Sequence, residues 1–395
     1  MQIPPAVRPP PWGSTTSGAT RSLISKWRQR FHGRIGKLQV REHVPIPDIR
    51  AKAIALWQWW NHCVARAAGN GKRILTVNMD ETSICLFQGA VRGNIFIRKG
   101  RRAFQDVPRS TRRTCMTHAA FVCDDHDLQQ LLPQVVLVNE RTVGAREFAS
   151  LARESPPGVR LVRGRSAWVD AGICARMVRW LAAALAPHTV DIQVVLVFDA
   201  ARQHITDQVL TACAAANIWP IVVPPRLTWL LQPLDTHVFA LYKAHLQKAY
   251  QRARIAAADR RVSIAEFLPC VYAAVQQTLD GHDWAHAFEG NGLSRSQLGV
   301  STRILTEAQL EQPLAIGSEL PTPEQLSVCL PRRARIQPRR FLRPLASRTR
   351  APTHVPTHTP SAVATGSAHA FVADEQPIAF RTRAGTLRMR RLNPM

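Results

Sequence analysis

The sequence predicts an α/β sandwich, and three observations lead to it. Strand-type apolar runs interleave with helix-type segments from Lys72 to about Gly292, and such interleaving stacks helices on a sheet. One run, Ile192–Asp199, has the apolar character of a central strand covered on both faces. At 395 residues the chain can bury one large core with appendages.

The elements follow in order. Residues 1–20 are rich in Pro, Gly, Ser and Thr, a disordered composition. Residues 21–71 form a basic helical segment. No acid occurs before Glu42, while Arg21, Lys26, Arg28, Arg30, Arg34, Lys37 and Arg41 fill the stretch ahead of it. Trp27 and Phe31 lie one helical turn apart there. Asp48 is placed to cap a helix reaching about Ala68, with Ile49, Ala53, Leu56, Trp57, Trp60 and Val64 at three- and four-residue intervals. Its tryptophans read as packing against the main domain rather than stacking on bases. Gly69-Asn70-Gly71 ends the helix.

Residues 72–295 make up the main domain. Strands are expected at Ile74–Asp80, Ile84–Gln88, Thr114–Cys123, Gln134–Val138, Ile192–Asp199 and Ile218–Val223. Helices are expected at Ala167–Leu185, His204–Asn217 and from Thr236 to about Ala258. The last carries Val238, Phe239, Tyr242, Leu246 and Tyr250 along one face. Residues 296–395 read as a linker and a basic disordered tail. From Pro331 to Val372 there is no acid, and Arg332, Arg333, Arg335, Arg339, Arg340, Arg343, Arg348 and Arg350 cluster there. Such a tail either adds salt-sensitive affinity for DNA, serves as a nuclear import signal, or is merely solvated.

Charge points to the partner. Lys and Arg number 52 against 27 acids, a formal charge of +25, and the sequence pI is near 11.2. Nucleic acid is the default partner of such a chain. An arginine-rich compositional bias and an anionic membrane surface are the competing accounts. The eight cysteines include no C-x-x-C pair, which argues against a zinc ribbon and a disulfide framework and for reduced, buried thiols in an intracellular protein. No apolar stretch approaches the roughly 20 residues that span a bilayer, and the proline-rich start lacks the apolar core of a signal peptide.

Asp80, Asp199 and Asp235 carry the chemistry. The first two close apolar runs that read as strands, and the third opens a helical stretch. Ligands of α/β proteins gather at the carboxyl ends of strands. Converging carboxylates raise one another's pKa unless a cation joins them, and an all-oxygen set suits Mg²⁺ or Mn²⁺. Two such ions about 3.5–4 Å apart activate an attacking oxygen and stabilise a departing one. Asp80 rather than Glu81 is the candidate ligand, because successive strand residues face opposite sides. On spacing alone, three unrelated aspartates serving as caps and turn formers would be the stronger reading.

The surrounding residues reverse that. Asn78-Met79-Asp80-Glu81-Thr82 resembles the first catalytic block of DDE-superfamily endonucleases, specifically the pogo/jerky/centromere-protein-B-like transposases. Pro224 to Asp235, containing Leu230-Leu231-Gln232-Pro233-Leu234-Asp235 and followed by Lys243, is similar to the third block. Asp199 with His204 is similar to the middle one. Thr114, Leu131-Leu132-Pro133, Trp168 and Phe288…Gly292-Leu293 also fit, so the resemblance covers roughly residues 72–295. It implies an RNase H-like mixed sheet with helices on both faces. It also implies Asp80, Asp199 and Asp235 as ligands of Mg²⁺ or Mn²⁺, with two ions, and in-line attack on a DNA phosphodiester, first by water and then by the freed 3′-hydroxyl. His204, Gln232 and Lys243 are candidates for contacting phosphate or supporting a ligand; for His204, capping a helix N-terminus is the alternative. DNA is the implied partner, with self-association on it, in the nucleus, and neither a membrane nor a small-molecule cofactor is expected.

Two departures stand out. Ala200 follows the second aspartate where the family usually has Asn, removing a side chain able to orient a metal-bound carboxylate. Upstream, Ser25–Phe31 resembles only the closing helix of the family's tandem helix-turn-helix region, so 21–71 reads as a remnant of it. A relative that keeps the fold and binds DNA without chemistry is therefore the alternative function. The DNA-binding candidates are Lys26, Arg28 and Arg30, with Arg98, Lys99, Arg101, Arg102, Arg112 and Arg113 from the basic stretch Arg92–Arg113.

Overall fold

The computed structural model describes residues 44–85, 114–257, 262–294, 299–331 and 337–346. These all belong to one unit, Met1–Ser347; the second unit, Arg348–Met395, lies outside the described residues.

The scaffold is a six-stranded mixed sheet. Its strands are β1 (Arg73–Cys85), β2 (Thr114–Cys123), β3 (Gln134–Asn139), β4 (Val159–Gly164), β5 (Ile192–Asp199) and β6 (Trp219–Val223), in spatial order β4-β3-β2-β1-β5-β6. The first three form an antiparallel meander. On the far side of β1, β5 and β6 add in parallel, and β4 lies parallel to β3 at the other edge. A meander extended through its first strand by two parallel strands is the RNase H-like arrangement. The parallel strands β5 and β6 are buried almost throughout, as sequences apolar on both faces require.

Of the expected strand Ile84–Gln88, Ile84 and Cys85 belong to β1, and residues 86–88 lie outside the described residues. Pairing with β2 carries β1 on through Cys85, with a register shift only after Ile84. Among the elements that escaped the periodicity reading, helix 145–153 has a single buried residue, Leu151, and edge strand β4 carries Arg160 and Arg163, which mask a strand pattern. Neither of these buries enough apolar surface to leave a strong signal. Helix Ile264–Val275, well buried, was not expected either.

Helix α1 (Ile46–Gly69) shows why the tryptophans are there. Trp57, Trp59 and Trp60 are almost wholly buried. Trp60 Nε1 donates to Thr76 Oγ1 of β1 at 3.2 Å, and Trp57 Nε1 donates to the Asn291 carbonyl at 2.9 Å. The helix thus packs into the main core. Its N-terminus is set by Pro45 rather than by Asp48, which sits in the first turn without capping. Asn70 and the positive φ of Gly71 terminate it as expected.

Short helix α2 (His126–Gln129) and α3 (Ala145–Arg153) lead to α4 (Ala171–Leu185), which begins after the expected Ala167 because the Asp170 carboxylate accepts from the Ile173 N–H. Helix α5 (Asp207–Ala215) starts at the Thr206 cap, so His204 is not helical and does not cap a helix. After β6 come α6 (Thr228–Leu231), a π-helical turn (Leu234–Val238) and α7 (Phe239–Ala256), then α8 (Ile264–Val275) and α9 (Ala285–Gly290). The long helix expected from Thr236 is thus a π turn running into an α-helix.

Beyond residue 295 the chain is not simply a linker. Helices α10 (Thr302–Ala308), α11 (Pro323–Ser327) and α12 (Arg339–Ala346) bury Ile304, Leu326 and Phe341, and the Phe341 ring meets Trp59 edge-on at 5.7 Å. Apolar residues spaced among arginines anchor these helices. Among the described residues no helix is long and apolar enough to cross a membrane.

Helices cover both faces of the sheet. On β1, Thr76 and Asn78 share one face, where α1 and the π turn bind them. Glu81, of opposite parity, is bonded from the other side by His204, whose neighbour Cys174 lies on α4.

Candidate active site at the strand ends

Strand register brings the first two aspartates together. Pairing between β1 and β5 ends at Asn78↔Val197. Asp80 and Asp199 each lie two residues further on, on the same side of the pleat. Asp80 is not a strand terminus, since β1 continues along β2, but it marks the end of the pairing with β5. Asp199 is the last residue of β5 and pairs with Val223.

Asp235 comes from the π turn, and Asn78 explains how it is held there. The buried Asn78 amide donates to the Val197 carbonyl of β5 at 2.9 Å, while its oxygen accepts the Leu234 N–H at 2.9 Å. That N–H belongs to a helix N-terminus with no partner in its own chain segment. One side chain therefore ties β1, β5 and the turn bearing Asp235. Thr236 adds a bond back to the Gln232 carbonyl at 2.9 Å, and the Asn291 amide donates to Thr236 Oγ1 at 3.1 Å. Asn78→Ala should cost about 2–3 kcal/mol in chemical denaturation, because it strands buried backbone groups on two elements. It should also depress any metal-dependent activity beyond that loss, by releasing Asp235.

Charge from Asp235 and Asp199 acts on Asp80, and charge from Asp199 acts on Asp235. Burial raises the Asp80 carboxyl well above the ordinary range, and the charges of Asp235, Glu81 and Asp199 raise it further. The Asp235 carboxyl is raised by burial and by Asp199, against a Thr228 hydrogen bond and the Lys243 charge. Asp199 behaves differently. Burial pushes its carboxyl up, but the hydrogen bond and charge of His204 and the Ala201 N–H outweigh this and lower it. In this structure the three aspartates do not meet as a group of ligand atoms mutually within 4.8 Å. Among the described residues that description applies to Glu81, Cys174 and His204.

His204 is the surprise. Its side chain is fully buried, with Nδ1 at 2.5 Å from Asp199 Oδ1 and Nε2 at 2.8 Å from Glu81 Oε1. With both nitrogens engaged and no exposed surface, it is a support for Asp199 rather than a phosphate contact. The Ala201 N–H also donates to Asp199 Oδ1, at 3.0 Å. Together they anchor the carboxylate that Ala200, lacking the usual amide, cannot orient.

The remaining candidates fall as follows. Gln232 is wholly buried, and neither amide atom has a hydrogen-bond partner among the described residues; burial keeps it from contacting a phosphate here. Lys243 packs its ammonium 5.6 Å from the Phe239 ring centroid while its charge acts on Asp235. Lys26, Arg28, Arg30, Arg98, Lys99, Arg101, Arg102, Arg112 and Arg113 lie outside the described residues. Trp168 is 69% exposed. Sequence reasoning missed Glu81 and Cys174. Strand parity set Glu81 on the face opposite Asp80 but could not show that His204 links that face back to Asp199. Nothing in the sequence marked Cys174.

Parts of the chain are similar to known proteins. Residues 117–288 match the family model of the DDE superfamily endonucleases, a span that includes Asp199 and Asp235 and begins after Asp80. A curated relative, the MFS-type transporter clz9 of Cochliobolus lunatus, is 30% identical over 134 residues, 32% of this chain and 14% of that protein's length. Among solved structures, the Mos1 transposase paired-end complex with left transposon end shows 17% identity and a TM-score of 0.34, over 69% of this chain and 70% of that one. The Mos1 mariner paired-end complex with Mn gives 17% identity and 0.33, covering 69% and 71%. Over residues 117–288 the chain is similar to the DDE superfamily endonucleases.

Proposed function

We propose that this chain is a transposase-derived DNA endonuclease in which Asp80, Asp199 and Asp235 hold Mg²⁺ or Mn²⁺, two ions in the working state, for phosphodiester cleavage and strand transfer. The single observation that carries the reading is geometric: strand register sets Asp80 beside Asp199, and Asn78 of β1 bonds the turn that bears Asp235. Buried like charges of this kind are unfavourable alone and fit a divalent cation. Such ions supply activation of the attacking oxygen and neutralise charge on the departing one. The protein's own part is positional: Asn78 holds the Asp235 turn, and His204 with the Ala201 N–H holds Asp199.

DNA as substrate follows from the formal charge of +25, and the nucleus is the proposed site of action. Self-association on DNA belongs to the same reading. Purified protein with Mn²⁺ and supercoiled plasmid should yield nicked product, and Asp199→Ala should abolish it. Cleavage unaffected by that substitution would remove Asp199 from the site. A second reading, a DNA-binding protein without chemistry, is favoured by Ala200 and by the three aspartates standing outside mutual ligand distance. It predicts DNA retention that falls steeply with salt and no cutting with either ion.

A further inference from the structure

On the Glu81 side of the sheet lies a set of ligand-type atoms that the reaction above does not use. A carboxylate oxygen of Glu81, the thiol of Cys174 and a ring nitrogen of His204 all lie within 4.8 Å of one another. They come from three different elements: β1, α4 and the loop ahead of α5. Their donor chemistry differs from that of the aspartates. A sulfur, an imidazole and one carboxylate suit Zn²⁺ and its borderline relatives, whereas Mg²⁺ takes oxygen.

The histidine is already arranged as a metal-binding histidine would be. Nδ1 contacts the Asp199 carboxylate at 2.5 Å, which leaves Nε2 as the nitrogen beside Glu81 Oε1 at 2.8 Å. Carboxylate–histidine–metal triads use this arrangement to fix the tautomer and the ring plane. The Cys174 thiol lies within 4.8 Å of a ring nitrogen of the same histidine. Cys174 and His204 are fully buried, while the Glu81 side chain keeps 15% exposure, so an ion would enter past Glu81.

We propose that Glu81, Cys174 and His204 form a binding site for a borderline transition metal such as Zn²⁺, adjoining the aspartate cluster but chemically distinct from it. Three protein ligands leave a fourth position for water or the second Glu81 oxygen. Ligand bonds of about 2.0–2.3 Å hold donor atoms further apart than a hydrogen bond does, so the ion would take the place of the Nε2–Glu81 bond. His204 would keep its hold on Asp199. The site therefore does not depend on the endonuclease reading, and a chain that cuts no DNA would still bind the ion.

The test uses the full chain, stripped with a chelator and titrated with Co²⁺ and then Zn²⁺. One cobalt should bind with a sulfur-to-cobalt charge-transfer band and the intense visible bands of a four-coordinate site. Zn²⁺ should displace it, and excess Mg²⁺ should not. Cys174→Ser should remove the charge-transfer band and weaken zinc at least about tenfold, whereas Asp235→Asn and Cys213→Ser should change neither. Should Cys174→Ser lose its cooperative melting transition, Glu81→Gln serves instead, weakening zinc while keeping the sulfur band. Wild-type protein without that band, or a Cys174→Ser protein binding zinc like wild type, would overturn the site.

Discussion

Replacing His204 with alanine is expected to destabilise the fold by roughly 3 kcal/mol, the scale for breaking a buried ion pair by removing one partner. The side chain has no exposed surface, and it stands between two carboxylates, Asp199 at 2.5 Å and Glu81 at 2.8 Å. Burial by itself disfavours its charged form, yet the Glu81 charge and the Asp199 hydrogen bond raise its pKa well above the ordinary value. Removing it leaves two acids facing a cavity and deletes the ring's packing against Phe198, whose centroid lies 5.7 Å away. Urea denaturation of the metal-free protein reads the loss directly. The double substitution Glu81→Gln with His204→Ala should recover part of it, because one of the stranded charges is then gone. Equal stabilities for wild type and His204→Ala would mean the bridge contributes nothing and the acids are solvated without it.

Much of this was legible in the residues. Strands β2 and β5 fall at their expected bounds because their apolar runs and flanking breaks are unambiguous. The tryptophan-bearing helix α1 is legible for the same reason, through its three- and four-residue spacing. What was not legible depends on contacts between distant segments. The β1 strand runs through Cys85 because β2 pairs with it, and no local signal in Ile84 or Cys85 says so. Helix α12 reads as tail because arginines surround Phe341, Leu342 and Leu345, yet those three residues are buried. The site shows the same division. The aspartates stand out by their phrases, but the bonds of Asn78 to Val197 and Leu234 join residues far apart in the chain. His204 read as a phosphate contact, as a support for a metal ligand, or as a cap. Only the packing of the loop ahead of α5 against β1 reveals that it is a bridge.

Asp80→Asn is expected to separate stability from activity: the metal-free protein should become more stable, by on the order of 1–2 kcal/mol, while cleavage is lost. Asparagine keeps an oxygen to accept the Glu81 N–H, which Asp80 Oδ1 accepts at 2.8 Å. It removes a buried charge that desolvation, Asp235, Glu81 and Asp199 all oppose. The sign of the pH dependence follows from the direction of the shift. A carboxyl whose folded pKa is raised binds its proton more tightly in the folded chain. Its contribution to stability is complete below the ordinary carboxylate value of 3.8 and is lost as pH rises through the raised folded value. Metal-free wild type should therefore lose stability across that window, and Asp80→Asn should lose less. Mn²⁺ should act in the opposite sense, raising the wild-type melting temperature where Asp80 is ionised and shifting the asparagine protein far less. Calorimetric melts at several pH values, with and without Mn²⁺, separate the cases. If Asp80→Asn destabilises the metal-free chain, the carboxylate is satisfied by the protein alone, and a strained cluster waiting for a cation is the wrong description of this sheet edge.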